Sequence, residues 1–109
     1  MRRDVFQAIA DPTRRAIIGL LSKQQGMTLT EVSAQFAISR PAISKHIKIL
    51  EECGLIIIKP QGRERYCEAQ FGKLKEVVKW TEQYQQLWMK KPSVQEKHLS
   101  KAKPPTSKK

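Results

Sequence analysis

Several features are missing from this 109-residue chain, and each absence narrows what it can do. No stretch of 18 or more apolar residues occurs, so no transmembrane helix is expected. The start, MRRDVFQAIADPTRR, carries charge at positions 2 to 4 but has no apolar signal core and no cleavage site, so the protein is expected to stay in the cytosol. Only two cysteines are present, Cys53 and Cys67. Two are too few for a disulfide scaffold and fit a reducing compartment. There is no Ser/His/Asp or Cys/His set, no pair of carboxylates sharing a pocket, and no Gly loop able to cradle phosphate. A single domain of this size also leaves little cleft, so the chain does not read as an enzyme and no cofactor is expected.

Acidic residues are scarce as well. Ten stand against 21 Lys and Arg, a net charge of +11. Residues 1–89 hold fourteen basic and nine acidic groups, or +5, and residues 90–109 hold seven Lys and one Glu, or +6. The part that folds is therefore basic without its tail. That suits a polyanionic partner but does not by itself separate DNA from RNA or a membrane surface. The expected organisation is one domain over residues 1–90 and a Lys-rich tail over 91–109, polar, Pro-containing and too poor in apolar groups to fold. Two roles stand open for the tail: non-specific contact with phosphates, or inert solubilisation. The apolar content can build one core with little surplus, so a large self-association surface would help.

The informative stretch is residues 28–50, TLTEVSAQFAISRPAISKHIKIL. Thr28 and Glu31 have the spacing of a capping box. Leu29, Val32 and Phe36 then fall at i, i+3 and i+7, one apolar stripe of a short helix. Ala37, Ile38 and Ser39 form the expected turn. Ser39 is a good N-cap and Pro41 sits in the first turn, where its missing N–H costs nothing. A second helix is expected from Arg40 to Cys53, stopping at Gly54. At about 100° per residue, Ile43, Ile47 and Leu50 share one side of it. Pro41, Lys45, Lys48 and Glu52 lie opposite, with Arg40 and Ser44 on a flank. The outward face of its first turns is thus short, polar and basic. A recognition helix needs that face to approach base edges and phosphates closely. An ordinary solvated face has the same pattern. The helix–turn–helix spacing and the hairpin after it favour DNA.

The remaining elements frame this pair. Residues 4–10 read as a short helix with Val5, Phe6 and Ile9 apolar. Asp11 can cap the next helix and Pro12 suits its first position. That helix is expected to run to Ser22, burying Ala16, Ile17, Leu20 and Leu21. Arg14 and Arg15 lie on its other side, as solvated charges or as contacts to phosphate or to an acidic group across the core. After Gly54, residues 55–58 and 64–68 are strand-like around the turn residues Pro60, Gln61 and Gly62, a β-wing. Arg63 at its tip and Arg65 on its second strand can reach a minor groove or a phosphate, or can be ordinary edge charges. A helix of roughly 28 Å is expected over residues 71–89. Its stripe is Leu74, Val77, Val78, Thr81, Tyr84 and Trp88, widened by Trp80 and Leu87. This is more apolar helix than one small core needs, so it reads as part core and part dimer seam.

Helix, DPTRR helix, helix–turn–helix, wing and long aromatic helix, in that order, resemble the ArsR-type family of small bacterial winged-helix repressors. The residues that carry the resemblance are Ala10-Asp11-Pro12-Thr13-Arg14-Arg15, the run from Ile38 through Ser39, Arg40, Pro41, Ala42, Ile43, Ser44 and Lys45 to His46, Leu50 with Gly54-Leu55, and Gly62-Arg63 before Tyr66. The likeness covers residues 5–88. It implies a mainly α winged helix–turn–helix fold, about five helices plus a two-stranded wing. It implies a homodimer joined through the first and last helices, with Val5 and Phe6 contributed by the first. It further implies double-stranded operator DNA as partner, a palindromic site often in the protein's own promoter, and repression by occupancy. The base-reading positions fall on Arg40, Pro41, Ser44 and Lys45. Thr28, Thr30, Ser39, Lys48, Arg14 and Arg15 are candidates for phosphate, with Arg63 and Arg65 acting from the wing.

The sequence departs from the metal-sensing branches of that family. Sensors of arsenic, cadmium and lead carry a Cys pair on the first helix of the helix–turn–helix, where this chain has Glu31-Val32-Ser33-Ala34-Gln35. Sensors of zinc, cobalt and nickel carry Asp and His on the last helix. Residues 74–88 contain neither, and Glu76 with Glu82 would hold Zn²⁺ poorly. No metal site is therefore expected, and an unidentified protein or small-molecule effector stays open. Two rivals also stay open: a sequence-independent architectural DNA-binding protein, and a repressor switched by a Cys53–Cys67 disulfide, against which two buried, inert thiols are the commoner outcome. His46, beside the inward stripe, reads as a brace for the recognition helix rather than a base reader.

Overall fold

A computed structural model describes residues 3–89. The Lys-rich tail lies outside the described residues. The chain divides into two compact units, the first ending at Val77 and the second beginning at Val78.

The first unit opens with α1, Val5–Ile9, capped by Asp4, whose carboxylate accepts from Gln7 N at 3.0 Å. α2, Pro12–Lys23, starts on Asp11 with proline in its first turn. Gly26 then takes a positive φ of 77° and turns the chain into β1, Met27–Thr28. α3, Leu29–Ser33, follows at once. Thr28 and Glu31 form the reciprocal capping box that their spacing predicts. α4 runs over Arg40–Glu52 from its Ser39 cap, and Gly54 leaves the helix at φ 84°. β2, Ile56–Gln61, and β3, Glu64–Ala69, make the wing. α5, Leu74–Met89, ends the described chain.

Four features differ from the sequence expectation. α3 stops at Ser33, because Gln35 N and Phe36 N bond three residues back, to Val32 O and Ser33 O, and tighten the chain into a turn. Phe36 nevertheless packs on the core. The sheet has three strands rather than two, in the order β1-β3-β2. The wing strand β2 continues through Lys59-Pro60-Gln61, leaving Gly62-Arg63 as a two-residue turn, with Gly62 at φ 64°. Proline fits there because β2 is an edge strand, where an absent N–H breaks no ladder. α5 begins at Leu74 rather than Phe71, after turn bonds from Leu74 N to Phe71 O and from Lys75 N to Gly72 O.

The core collects one apolar face from each element of this unit. Ile17 and Leu21 of α2, Val32 of α3, and Ile43, Ile47 and Leu50 of α4 are buried together with Leu55, Ile56 and Cys67 around the sheet. Leu74 and Val77 pack against that cluster from the start of α5. Ala16, expected inside, is exposed, and Leu20 is half-buried.

The sheet is closed at its inner end by a side chain. The Gln25 amide accepts from Ala69 N at 2.8 Å and donates to Ala69 O at 3.4 Å, copying a residue pair of a ladder. Next to it Gly26 N bonds Cys67 O. Gln25→Ala removes the amide and strands the Ala69 N–H in a part-buried place. Unfolding free energy should fall by about 1–2 kcal/mol at an unchanged urea m value. A variant as stable as the parent would mean that the amide pair is no structural tie.

Candidate nucleic-acid interface

α4 is split lengthwise. Its Ile43, Ile47 and Leu50 are buried, so the far side must face solvent, and Arg40, Pro41, Lys45 and Lys48 are exposed there. Ser44 is half-buried on the flank. The basic residues occupy the first turns, and the acidic pair Glu51 and Glu52 is confined to the last. Glu52 is tied to Arg3, Oε1 to Nε, at 2.9 Å. The first turns of α4 thus carry three cations and no carboxylate, which suits a polyanion.

Two hydroxyls sit where helices begin. Ser39 Oγ accepts from Ala42 N at 3.2 Å, and Thr28 Oγ1 accepts from Glu31 N at 3.1 Å. Each keeps its own O–H to donate, which is what a phosphate oxygen requires. Thr30 is exposed. On the wing, Lys59 is paired with Glu68 across the strands at 3.1 Å. Arg63 at the turn and Arg65 on β3 are exposed and form no ion pair among the described residues.

Arg14 is placed differently from the sequence expectation. Its guanidinium does not face outward to phosphate. Nε donates to Ala8 O and NH2 to Gln7 O, both at 2.9 Å, and NH1 lies 3.3 Å from His46 Nδ1. The last carbonyls of α1 lie within its reach, and the guanidinium fork meets two of them at once. Arg15 is also tied, through NH1 to Ile9 O at 2.6 Å, but is exposed and keeps donors free. The partner of Arg14, His46, stands 32 residues away. No local pattern in the sequence marks such a pair. Asp11 completes the corner, accepting from Thr13 N at 2.8 Å and Arg14 N at 3.1 Å. Burial pushes its carboxyl pKa up, but those two N–H groups and the charge of Arg14 outweigh it, so the net shift is downward.

The residues expected at a dimer seam separate into three groups. Val5 is 1% exposed and belongs to the chain's own core, a correction, because the short α1 turns it inward beside Ala8. Leu74 and Val77 are partly buried against that same core. Phe6 is on the surface at 38%. In the second unit Val78, Thr81, Tyr84 and Trp88 are exposed, the three large apolar ones at 43–59%, and Trp80 and Leu87 with them. Trp80 and Tyr84 stack at a tilt, with centroids 5.2 Å apart. The Thr81 hydroxyl donates to Val78 O within the helix, so it presents its methyl group without an unmet polar demand.

Both thiols are buried in the core. Burial pushes the Cys53 and Cys67 pKa values up. A raised pKa leaves little thiolate, the form that exchanges with disulfides. Among the described residues no three His, Cys, Asp or Glu side chains gather as a metal-binding group, and no helix is long and apolar enough to cross a membrane.

Comparison with known proteins agrees with this geometry. A helix-turn-helix domain family matches residues 9–58. The transcriptional repressor SdpR of Bacillus subtilis is 38% identical over 77 residues, covering 71% of this chain and 84% of the repressor. A crystal structure of an ArsR family transcriptional regulator superposes with a TM-score of 0.68 at 41% identity, covering 76% of this chain and 84% of that one. An ArsR-like transcriptional regulator from Rhodococcus sp. RHA1 gives a TM-score of 0.69 at 25% identity, over 91% of this chain and 90% of that one.

The burial of the thiols gives a direct test. In the native protein both should react with a thiol-specific disulfide reagent only at the rate of unfolding, and mild oxidant should leave DNA affinity unchanged. Rapid native labelling, or an affinity that changes on oxidation and recovers on reduction, would restore the redox switch.

Proposed function

The chain belongs to the ArsR family of winged helix–turn–helix transcriptional regulators, and from that premise we propose that it is a homodimeric repressor of a palindromic operator, its own promoter included, with no metal inducer. The observation that carries this reading is the divided α4, whose buried stripe leaves Arg40, Pro41 and Lys45 exposed, with Arg40 and Lys45 cationic. Arg40, Ser44 and Lys45 read base edges in the major groove, and Pro41 packs close to them. An Arg bidentate to guanine is the commonest specific contact. Lys48, Ser39, Thr28, Thr30 and Arg15 hold phosphates, and Arg63 with Arg65 act from the wing. Two such helices related by a dyad enter successive major grooves about 34 Å apart. The apolar surface of α5, with Val78, Tyr84 and Trp88 exposed, supplies the self-association seam, and Phe6 of α1 adds to it. The reading without a metal inducer is supported by the sequence, which has no Cys between Glu31 and Gln35 and no Asp, His or Cys between Leu74 and Trp88.

Binding to the protein's own upstream DNA and to random DNA of equal length, across a salt series, tests this reading. Two chains per duplex and a preference of about 10³-fold are expected. Arg40→Ala should cost about 1–3 kcal/mol and relax one base per half-site, whereas Lys48→Ala should weaken all sequences alike and reduce the salt slope by about one. Micromolar Zn²⁺, Co²⁺ or Ni²⁺ should change none of this. Equal affinity for both duplexes, followed by no enrichment from a random pool, would leave a sequence-independent architectural protein. Separately, Trp88→Glu or Val78→Glu should convert the protein to monomers in sedimentation. A mutant that remains dimeric would remove α5 from the seam.

A further inference from the structure

The Arg14–His46 contact does more than pair two side chains. It is a polar tie between the middle of α4 and α2. At its far end α4 is held by Arg3–Glu52, and along its inner side by Ile43, Ile47 and Leu50. Apolar packing is non-directional, so it fixes how deep a helix sits better than how it is rolled about its own axis. A hydrogen bond is directional and resists roll. Roll matters here, because a base-reading side chain reaches some 6 Å from the axis, and a 20° roll displaces its tip by about 2 Å. That is enough to break a bidentate contact to a base.

Arg14 is well suited to act as a fixed pin. Three of its nitrogens are committed, two to the Gln7 and Ala8 carbonyls at the end of α1 and one to His46. Its own backbone N–H is held by Asp11. Arg14 can only donate, so His46 Nδ1 is the acceptor and the ring proton sits on Nε2. Asp11 Oδ2 is 4.0 Å from the same nitrogen, too far to compete for it as a hydrogen-bond partner. His46 is adjacent in sequence to Lys45, its side chain 22% exposed, so its place is inside the corner and off the reading face.

We infer that Arg14 and His46 are positioning residues for sequence discrimination: they lock the roll of α4 against the end of α1, so that the exposed residues of α4 meet base edges in one register. This rests on the operator-reading function proposed above. The two residues touch no DNA. Losing the tie leaves the basic surface intact and degrades its aim.

The test uses a duplex that the wild-type full chain selects from a random pool, and a scrambled duplex of equal length. His46→Leu and Arg14→Gln should each weaken the selected duplex about tenfold, the size of one charge-assisted hydrogen bond, and leave the scrambled duplex unchanged. His46→Asn, whose Oδ1 can accept from Arg14 as Nδ1 does, should recover most of the loss. The double variant Arg14→Gln/His46→Leu should be no worse than the weaker single one, because both remove one tie. Circular-dichroism melts accompany each variant, and binding to the scrambled duplex reports whether the folded basic surface survives. Parallel loss on both duplexes, full discrimination in His46→Leu, additive losses in the double variant, or His46→Asn as poor as His46→Leu would each overturn the inference. A wild-type protein that selects no duplex overturns the repressor reading and this inference together. Selection by the wild type with any of the other four outcomes overturns the pin alone.

Discussion

The arrangement depends on one constraint, the burial of Ile43, Ile47 and Leu50 along a single side of α4. Fully burying an aliphatic side chain contributes about 1.5–3 kcal/mol, so three in register hold the helix face-down on the core against any alternative roll by a whole side. Everything useful about the opposite face follows from that. Arg40, Pro41, Lys45 and Lys48 are outward because the stripe is inward. The same core takes in α2, α3 and the inner ends of the wing strands. The elements that frame the reading helix are therefore set by the burial that sets the helix itself. In the inference drawn above, polar ties then refine the angle that apolar packing leaves loose.

Much of this architecture was legible in the chain, and for a physical reason. Caps and breakers act within three or four residues, so Asp11-Pro12, Thr28 with Glu31, Ser39 with Pro41, and Gly54 fix helix ends from sequence alone. The helical period of Ile43, Ile47 and Leu50 is likewise local. What was illegible joins distant residues. β1 is two residues long and exists through pairing with Tyr66 and Cys67, some forty positions away. Two residues have no periodicity to read. Arg14 looked like a surface cation because its partners, the carbonyls of α1 and a histidine on α4, are created by the fold. Val5 was assigned to a seam because a five-residue helix is too short for its inward face to be told from its outward one.

The two halves of the proposed function place different demands on the structure. Reading DNA requires polar groups held still, and the structure provides caps, a three-way guanidinium and strand pairing to hold them. Self-association requires apolar surface left uncovered, and α5 contains no buried residue along its sixteen positions. The large exposed apolar residues are concentrated there. The basic residues proposed for DNA contact lie on α2, α4 and the wing, so in that proposal substitutions on α5 and on α4 bear on separable properties, association and recognition.

Thr28 joins two systems through one residue. Its backbone lies in β1, opposite Tyr66 of the wing, while its hydroxyl caps α3. Immediately before it, the Gln25 amide and Gly26 N clamp the inner end of β3. The wing is therefore braced on β1 as well as by its own hairpin, and its root is continuous with the first helix of the reader. In the operator complex proposed above, a wing rooted in this way is carried with the body, and a mismatch between minor-groove width and the span from α4 to Arg63 would fall on the duplex, so that local duplex flexibility would enter the selection of sites.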